Sequence, residues 1–301
     1  MPLFFGSVFI QIQLSIVGDV MIYTVDLVMW AKNGSETLPA VLKRIGEVIP
    51  EEFVGNRIIV DDNSTDDTRK IAESFGWQVL FNEGSGISDG ANTAFKHVTS
   101  EYFVSFEQDL LLARDWWEKI PLHLSDPKIA VASGVRLPNQ PEVVRKIQEY
   151  SMERNQRRGK FESFLYGKTL DNTIYKTQVV RALGGFPKLT ISAGVDNILA
   201  KEVHENRFEW KVDYTVKSTH LRKGLREELA HYYWYGTCFS TLNPLLFKRN
   251  VNVKSLVSRL FFSPLRGLDI AVRKNAPQAV YVYPLIRLAV VRGVFNGLRG
   301  G

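Results

Sequence analysis

Residues 58–68 read IIVDDNSTDDT: three β-branched residues, then paired carboxylates, then a run of Asn, Ser, Asp and Thr. A short apolar β-branched run bounded by such residues is a buried strand ending in a turn. The polar run predicts a helix from about Asp66, capped by Ser64 or Thr65, with Asp66 and Asp67 at its positive end. Asp62, at the strand tip, is placed to accept hydrogen bonds from the edge of a nucleobase. A plain strand-to-helix turn would use the same residues for local reasons, so the neighbouring segments must decide.

Outward from this stretch the same rhythm repeats. DLVMWA (26–31) leads to a helix from about Ser35, and WQVLF (77–81) to one from about Ile87, before YFVSF (102–106) supplies another strand. Alternating strands and amphipathic helices predict an α/β layer fold with a largely parallel sheet flanked by helices. Ligands of such sheets lie beyond the carboxyl ends of the strands, where the polar clusters fall. Pro138 and Pro141 bracket a loop into a charged helix, EVVRKIQEYSMERNQRR (142–158).

The second polar cluster, EQD at 107–109, follows a buried strand. Alternate residues of an extended segment point the same way, so Glu107 and Asp109 are expected to face one pocket. Carboxylate oxygens suit Mg²⁺ or Mn²⁺ bridging a diphosphate.

These pieces, in this order, resemble the family 2 glycosyltransferases with the GT-A fold. The resemblance spans about residues 25–240 and rests on AKNGSETLPAVLKRI, VDDNSTDDT, GISDGANTAFKHVTSEYFVSFEQD, the Asp115-Trp116 pair, and ALGGFPKLTISAGVDNILAKEVHENRFEW. It implies that Ala31, Asn33, Glu36, Asp62, Glu107, Gln108, Gly185 and Arg222 bind the nucleotide-sugar. Asp109 would hold a divalent metal, Mn²⁺ or Mg²⁺, with His220 completing the site, and Asp196 would be the general base. Two departures stand out: Glu107-Gln108-Asp109 replaces the usual Asp-x-Asp, and Val195 stands where an acid usually precedes the base. The Gln-x-x-Arg-Trp motif of processive synthases is absent, with HYYWYG (231–236) near its place, which disfavours chain elongation. The implied reaction is a direct displacement with inversion, the donor being a GDP- or UDP-sugar of mannose or glucose. His97, His123, His204 and His231 read as solvated or packed.

The chain has 301 residues, 45% of them apolar, enough for a sizeable core, and its single Cys238 excludes a disulfide framework and a Cys-based zinc site. Residues 241–301 hold ten Lys or Arg against one acid, Asp269, leaving the rest of the chain at about −3. This asymmetry argues against nucleic acid as partner and for an anionic membrane surface, on the cytoplasmic face, with a lipid-linked or glycan acceptor. Three units are expected: an extension at 1–20, read either as lying upstream of a true start at Met21 or as a small extra strand, a GT-A catalytic domain at 21–240, and a basic membrane-associating helical tail at 241–301. Pro244, Pro264, Pro277 and Pro284 predict short or broken helices in the tail. Its segment AVYVYPLIRLAVVRGVF (279–295) reads as an interfacial helix, because Arg287 and Arg292 are costly at a bilayer centre whereas Tyr281, Tyr283 and Phe295 suit its boundary. A catalytically degenerate scaffold and a sugar nucleotidyltransferase are the competing readings; the second lacks the expected glycine-rich basic loop, for which KNGSETL is a poor match.

Overall fold

The computed structural model describes residues 16–17, 20–21, 24–158, 167–191 and 193–299. Most of the predicted extension at 1–20 therefore lies outside the described residues; what is described is a two-residue hairpin, β1 (Ile16–Val17) with β2 (Val20–Met21). The first half of the fold then runs β3 (Val25–Ala31), α1 (Leu38–Val48), β4 (Val54–Asp61), α2 (Thr68–Ser74), β5 (Gln78–Phe81), α3 (Gly86–Phe95), β6 (Tyr102–Glu107) and β7 (Leu110–Leu111). The second half runs α4 (Trp116–Lys119), β8 (Ile129–Pro138), α5 (Glu142–Gln156), β9 (Asn172–Lys176), α6 (Thr177–Ala182), α7 (Val195–Glu205), β10 (Glu209–His220) and the helices α8 (Leu225–Phe247), α9 (Val253–Phe261), α10 (Ser263–Arg273) and α11 (Ala279–Arg299).

Eight strands form one mixed sheet in the order β5-β4-β3-β6-β9-β8-β10-β7. β5, β4, β3 and β6 are mutually parallel, β9 runs antiparallel between β6 and β8, and β8 pairs parallel with β10. The central strands are continuous apolar runs because both faces are covered. Along β3 the alternation of side chains sorts Leu27, Met29 and Ala31 into one core with α1, and Val28 and Trp30 into another with α3, α6 and α7. Helix α1 buries Leu38, Val41, Leu42, Ile45 and Val48, the i, i+3, i+4, i+7 stripe that docks a helix on a sheet.

This topology brings distant residues to one edge. The carboxyl ends of β3, β4, β6, β8 and β10 coincide, with Ala31 opposite Asp61, Trp30 opposite Glu107 and His220 opposite Pro138. Because β9 is antiparallel, its start joins the same edge, Asn172 opposite Phe106.

The predicted caps are corrected. Helix α2 begins at Thr68 behind Asp67, not behind Ser64 or Thr65. Those two are committed across the loop instead: Ser64 Oγ accepts the Asn33 N–H at 2.9 Å, and the Thr65 N–H donates to Asn33 Oδ1 at 2.9 Å. The expectation of short or broken tail helices is also corrected for two of four. Helices α9 and α10 are short, Pro264 lying in the first turn of α10, but α8 has 23 residues and α11 has 21. Pro244 falls in the last turn of α8 and Pro284 in the second turn of α11, so each deletes one ladder bond near an end and leaves the long segment intact. α8 runs straight through the 240/241 junction. A third core joins α5, α10 and α11 through Val144, Ile147, Tyr150, Ile270, Val282 and Ile286.

Candidate active site

A cleft of about 720 Å³ opens at the carboxyl edge of the sheet, and Asp62, Glu107, Asp109, Asp196, His220 and Arg222 all line it. At one end Asp62 is held by Asn82, whose Nδ2 donates to Oδ1 at 3.0 Å, and by Lys32 Nζ at 3.2 Å from Oδ2. The loop beneath is stitched by Asp66, which accepts the Ser35 N–H and the Thr68 N–H, each at 3.0 Å. Burial alone would raise the Asp66 carboxyl, but bonds from the Thr68 and Ser35 hydroxyls, with those from the two N–H groups, carry it below the usual carboxylate range.

Gln108 accounts for one departure from the usual acidic motif. Its Oε1 accepts the Lys32 N–H at 2.7 Å while its Nε2 donates to the Lys32 carbonyl at 3.0 Å. The side-chain amide both takes and gives here, where an ionised carboxylate could only accept. The flanking acids face the cleft, as their alternation predicts.

Glu107, Asp109 and His220 bring their ligand atoms within 4.8 Å of one another. Asp109 Oδ2 lies 3.0 Å from His220 Nε2 and 3.3 Å from an Arg222 Nη. Burial raises the Asp109 carboxyl, but His220, Arg222 and Arg136 more than offset it and hold the group ionised. Burial depresses the His220 pKa, so the imidazole is neutral and able to ligate. Glu107 is pushed up to about 8, first by burial and then by the Asp171 carboxylate, against the pull of Arg136. Two carboxylates and one imidazole fit Mn²⁺, and the unfavourable charge on Glu107 is what a cation would relieve.

Asp196 stands in the first turn of α7, behind Gly194, whose φ of +98° turns the chain into the helix and whose missing Cβ leaves room for Leu242. Its carboxyl is raised to about 6 by burial, which outweighs Arg136 and the Asn197 N–H at 2.8 Å. A carboxylate poised there holds a proton weakly at neutral pH and takes one readily from a hydroxyl.

Ala31 and Gln108 also line the cleft, whereas Asn33, Glu36 and Gly185 do not. Asn33 ties the β3–α1 loop to the β4–α2 loop. Glu36 is exposed and pairs with Lys223. Gly185, at φ +98°, lets its loop dock on α3, where Asn92 Oδ1 accepts the Phe186 N–H at 2.9 Å. His231 is packed, its ring 4.4 Å from that of Tyr235, and it also faces the cleft.

The sequence did not single out Arg136 and Asp171. An Arg136 Nη lies 2.5 Å from Asp171, which is fully buried, and 3.4 Å from Glu107, and its other Nη donates to the Tyr235 hydroxyl at 2.7 Å. A charge inside the apolar strand ASGVRLP (132–138) was the available signal. Lys168, Trp234, Tyr235 and Phe239 complete the walls.

Residues 26–184 match the family model described as glycosyl transferase family 2. Among solved structures, the chain resembles a mannosyltransferase, PcManGT from Pyrobaculum calidifontis, determined with GDP-Man and Mn²⁺, at 16% identity and TM-score 0.65, covering 91% of this chain and 86% of that one. It also resembles TarS from S. aureus in complex with UDP-GlcNAc, at 13% identity and TM-score 0.53 over 92% of each chain. A third likeness is glucosyl-3-phosphoglycerate synthase from Mycobacterium tuberculosis with Mn²⁺, UDP and glucosyl-3-phosphoglycerate, at 15% identity and TM-score 0.51, covering 74% of this chain and 80% of that one. No curated protein matches the sequence. At these identities the structural likenesses establish the fold, and the family match carries the assignment: this chain is a glycosyltransferase of family 2, built on the GT-A fold.

Proposed function

We propose that the protein is an inverting, metal-dependent hexosyltransferase that moves mannose or glucose from a GDP- or UDP-sugar to a lipid-linked or glycan acceptor at the cytoplasmic face of a membrane. The observation that carries this reading is the presence, in one cleft, of the Glu107-Asp109-His220 ligand set and a separate carboxylate, Asp196. When bound, Mn²⁺ or Mg²⁺ would neutralise the charge that grows on the departing diphosphate.

The chain's own residues do the rest. Asp62 accepts from the base edge, exchanging its contacts with Lys32 and Asn82 for the nucleotide; Ala31 and Gln108 line that end of the cleft, and Asn33 ties together the two loops that carry it. Arg222 steadies the diphosphate beside Asp109. Asp196 receives the acceptor's proton as its oxygen attacks the anomeric carbon opposite the leaving group, which inverts the centre. Trp234, Tyr235 and Phe239 offer aromatic faces to the acceptor.

Residues 21–240 serve as the catalytic unit and 241–301 as the membrane-associating tail. The length and composition of α11 would allow it to cross a bilayer, but Arg287 and Arg292 favour an interfacial position. The test is a binding and hydrolysis panel of UDP- and GDP-sugars with Mn²⁺, Mg²⁺ or EDTA, comparing wild type with Asp109→Asn. Metal-dependent binding of one donor, lost in the variant, supports the proposal. Binding of no donor under any condition sinks it in favour of a degenerate scaffold.

A further inference from the structure

Helix α10 carries three stripes. Ser263, Gly267 and Ile270 face inward and are buried, whereas Leu265, Leu268 and Val272 face solvent at 66%, 53% and 77% exposure. Between these faces run Arg266, Asp269 and Arg273, at the i, i+3, i+7 spacing of one helix face. Phe261 and Phe262, at the α9–α10 junction, extend the apolar stripe at 77% and 56% exposure. Apart from Phe75 and Phe81, every exposed large apolar side chain among the described residues lies beyond residue 238. A soluble surface rarely concentrates apolar side chains in this way without something to cover them.

Beside this stripe a pocket of about 520 Å³ lies between α5 and α10, walled by Arg154, Arg157, Arg158, Arg266 and Arg273, with Phe262 and Leu265 on its rim. Its one acid, Asp269, is already engaged: Tyr150 Oη donates to it, and Arg273 Nε lies 2.7 Å away. Among the described residues no carboxylate forms a salt bridge with Arg154, Arg157, Arg158 or Arg266. Burial, and then the charges of Arg266 and Arg158, depress the Arg154 pKa, as expected for a cation without a counter-ion.

The geometry points to the α5–α10 face as a binding site for anionic phospholipid, with the phosphate of a headgroup in the arginine pocket and the Phe261–Val272 stripe among the acyl chains. Guanidinium forks match phosphate oxygens, and an apolar stripe alongside a cationic one is the layout of a helix lying in a membrane interface. The inference deepens the membrane-surface part of the proposed function and rests on it only there, because donor binding reads the catalytic cleft whereas flotation reads this face.

The experiment is flotation of the full chain with phosphatidylcholine vesicles, with and without phosphatidylglycerol, for wild type, Arg154→Gln/Arg157→Gln/Arg266→Gln, and Lys43→Gln/Lys128→Gln as a control that removes exposed cations elsewhere on the chain. The expected result is flotation that needs phosphatidylglycerol, falls about fivefold per arginine removed and so about a hundredfold in the triple variant, and is little changed in the control. Metal-dependent donor binding by the triple variant should stay at the wild-type level, which also certifies its fold. Equal flotation on neutral vesicles, wild-type flotation of the triple variant, or an equal loss in the control would each overturn the assignment. So would release of the chain from anionic vesicles by millimolar glycerol phosphate or by an oligonucleotide, which would mark the pocket as a site for soluble anions.

Discussion

Gln108 grips the main chain of Lys32 from both sides, accepting its N–H at 2.7 Å and donating to its carbonyl at 3.0 Å. The clasp locks the strand end that carries Glu107 and Asp109, two of the three candidate metal ligands, to the strand end beside Asp62. Gln108→Glu keeps the shape but replaces the donor with an acceptor facing a carbonyl. It should lower stability by about 1–2 kcal/mol and raise the KM for donor several-fold with a smaller change in kcat. Steady-state kinetics with thermal melts check both, and an unchanged KM would mean the clasp does not set the donor site.

Asp196→Asn should cut kcat by about 10²- to 10⁴-fold while leaving donor binding intact. The wild-type rate should rise with pH through about 6 and level off above it, because the carboxyl must be ionised to accept a proton and its pKa is raised to about 6. The same shift has a consequence for folding. The folded state holds this proton more tightly than the unfolded chain, so the stability it confers is present below the ordinary value of 3.8 and is lost as pH rises through about 6. Asp196→Asn therefore removes a buried charge at neutral pH and should stabilise the fold by about 1–3 kcal/mol. A variant both slower and less stable would contradict this account.

The contrast between these residues and Arg136 explains how much the sequence discloses. Asp62, Glu107 and Asp109 are legible because each closes an apolar strand, and strand ends are where such sheets place ligands. Asp196 is legible only through the resemblance carried by its Gly-Gly-Phe segment. Arg136 and Asp171 meet because β9 runs antiparallel between β6 and β8, a pairing no local pattern announces. The caps at Ser64 and Thr65 fail for the same reason: both residues satisfy a loop more than thirty residues away in sequence. The prolines mislead because a helix tolerates one lost bond near its end when tertiary packing holds the rest.

Arg136 is the hub of a buried charge network, 2.5 Å from Asp171 and 3.4 Å from Glu107. Arg136→Met strands Asp171 without a counter-charge and should cost about 3–5 kcal/mol. Arg136→Met/Asp171→Asn, which removes both charges, should recover much of that loss. Urea denaturation of the two single variants and the pair measures the coupling. Simple addition of the single-variant losses would show that the two residues are not energetically linked.

Cation binding to Glu107, Asp109 and His220 should appear as stability, since only the folded chain brings these atoms within 4.8 Å. Mn²⁺ at a hundredfold excess over its Kd should add about 2.7 kcal/mol, and EDTA should reverse the gain. Asp109→Asn should abolish the response; it should also melt below wild type in EDTA, because the lowered pKa of Asp109 makes its ionised carboxylate stabilising at neutral pH, so the measurement compares each protein with and without Mn²⁺. A Mn²⁺-induced shift that survives in Asp109→Asn would place the ion elsewhere.

The packing of α11 against α8 depends on hydrogen atoms where other residues have a Cβ. Helices α8 and α11 cross so closely that a Cβ on Gly293 would run into the Tyr233 carbonyl, and one on Gly236 into the Val290 carbonyl. Gly297 meets the Thr237 carbonyl in the same way, so the contact extends over successive turns of α11. Backbone on both sides leaves no flexible side chain to yield, and the helices must separate if a methyl is added. In an ordinary exposed helix, Gly→Ala stabilises by about 0.5–1 kcal/mol. At Gly293 the sign should reverse, with a loss of about 1–3 kcal/mol or more and greater protease access to α11. Gly236→Ala should act alike, and Gly236→Ala/Gly293→Ala should cost less than the sum of the two, since one separation of the helices accommodates both methyls. Melting temperatures of the three variants decide it: stabilisation by Gly293→Ala would mean that α11 does not rest on α8 at this spacing.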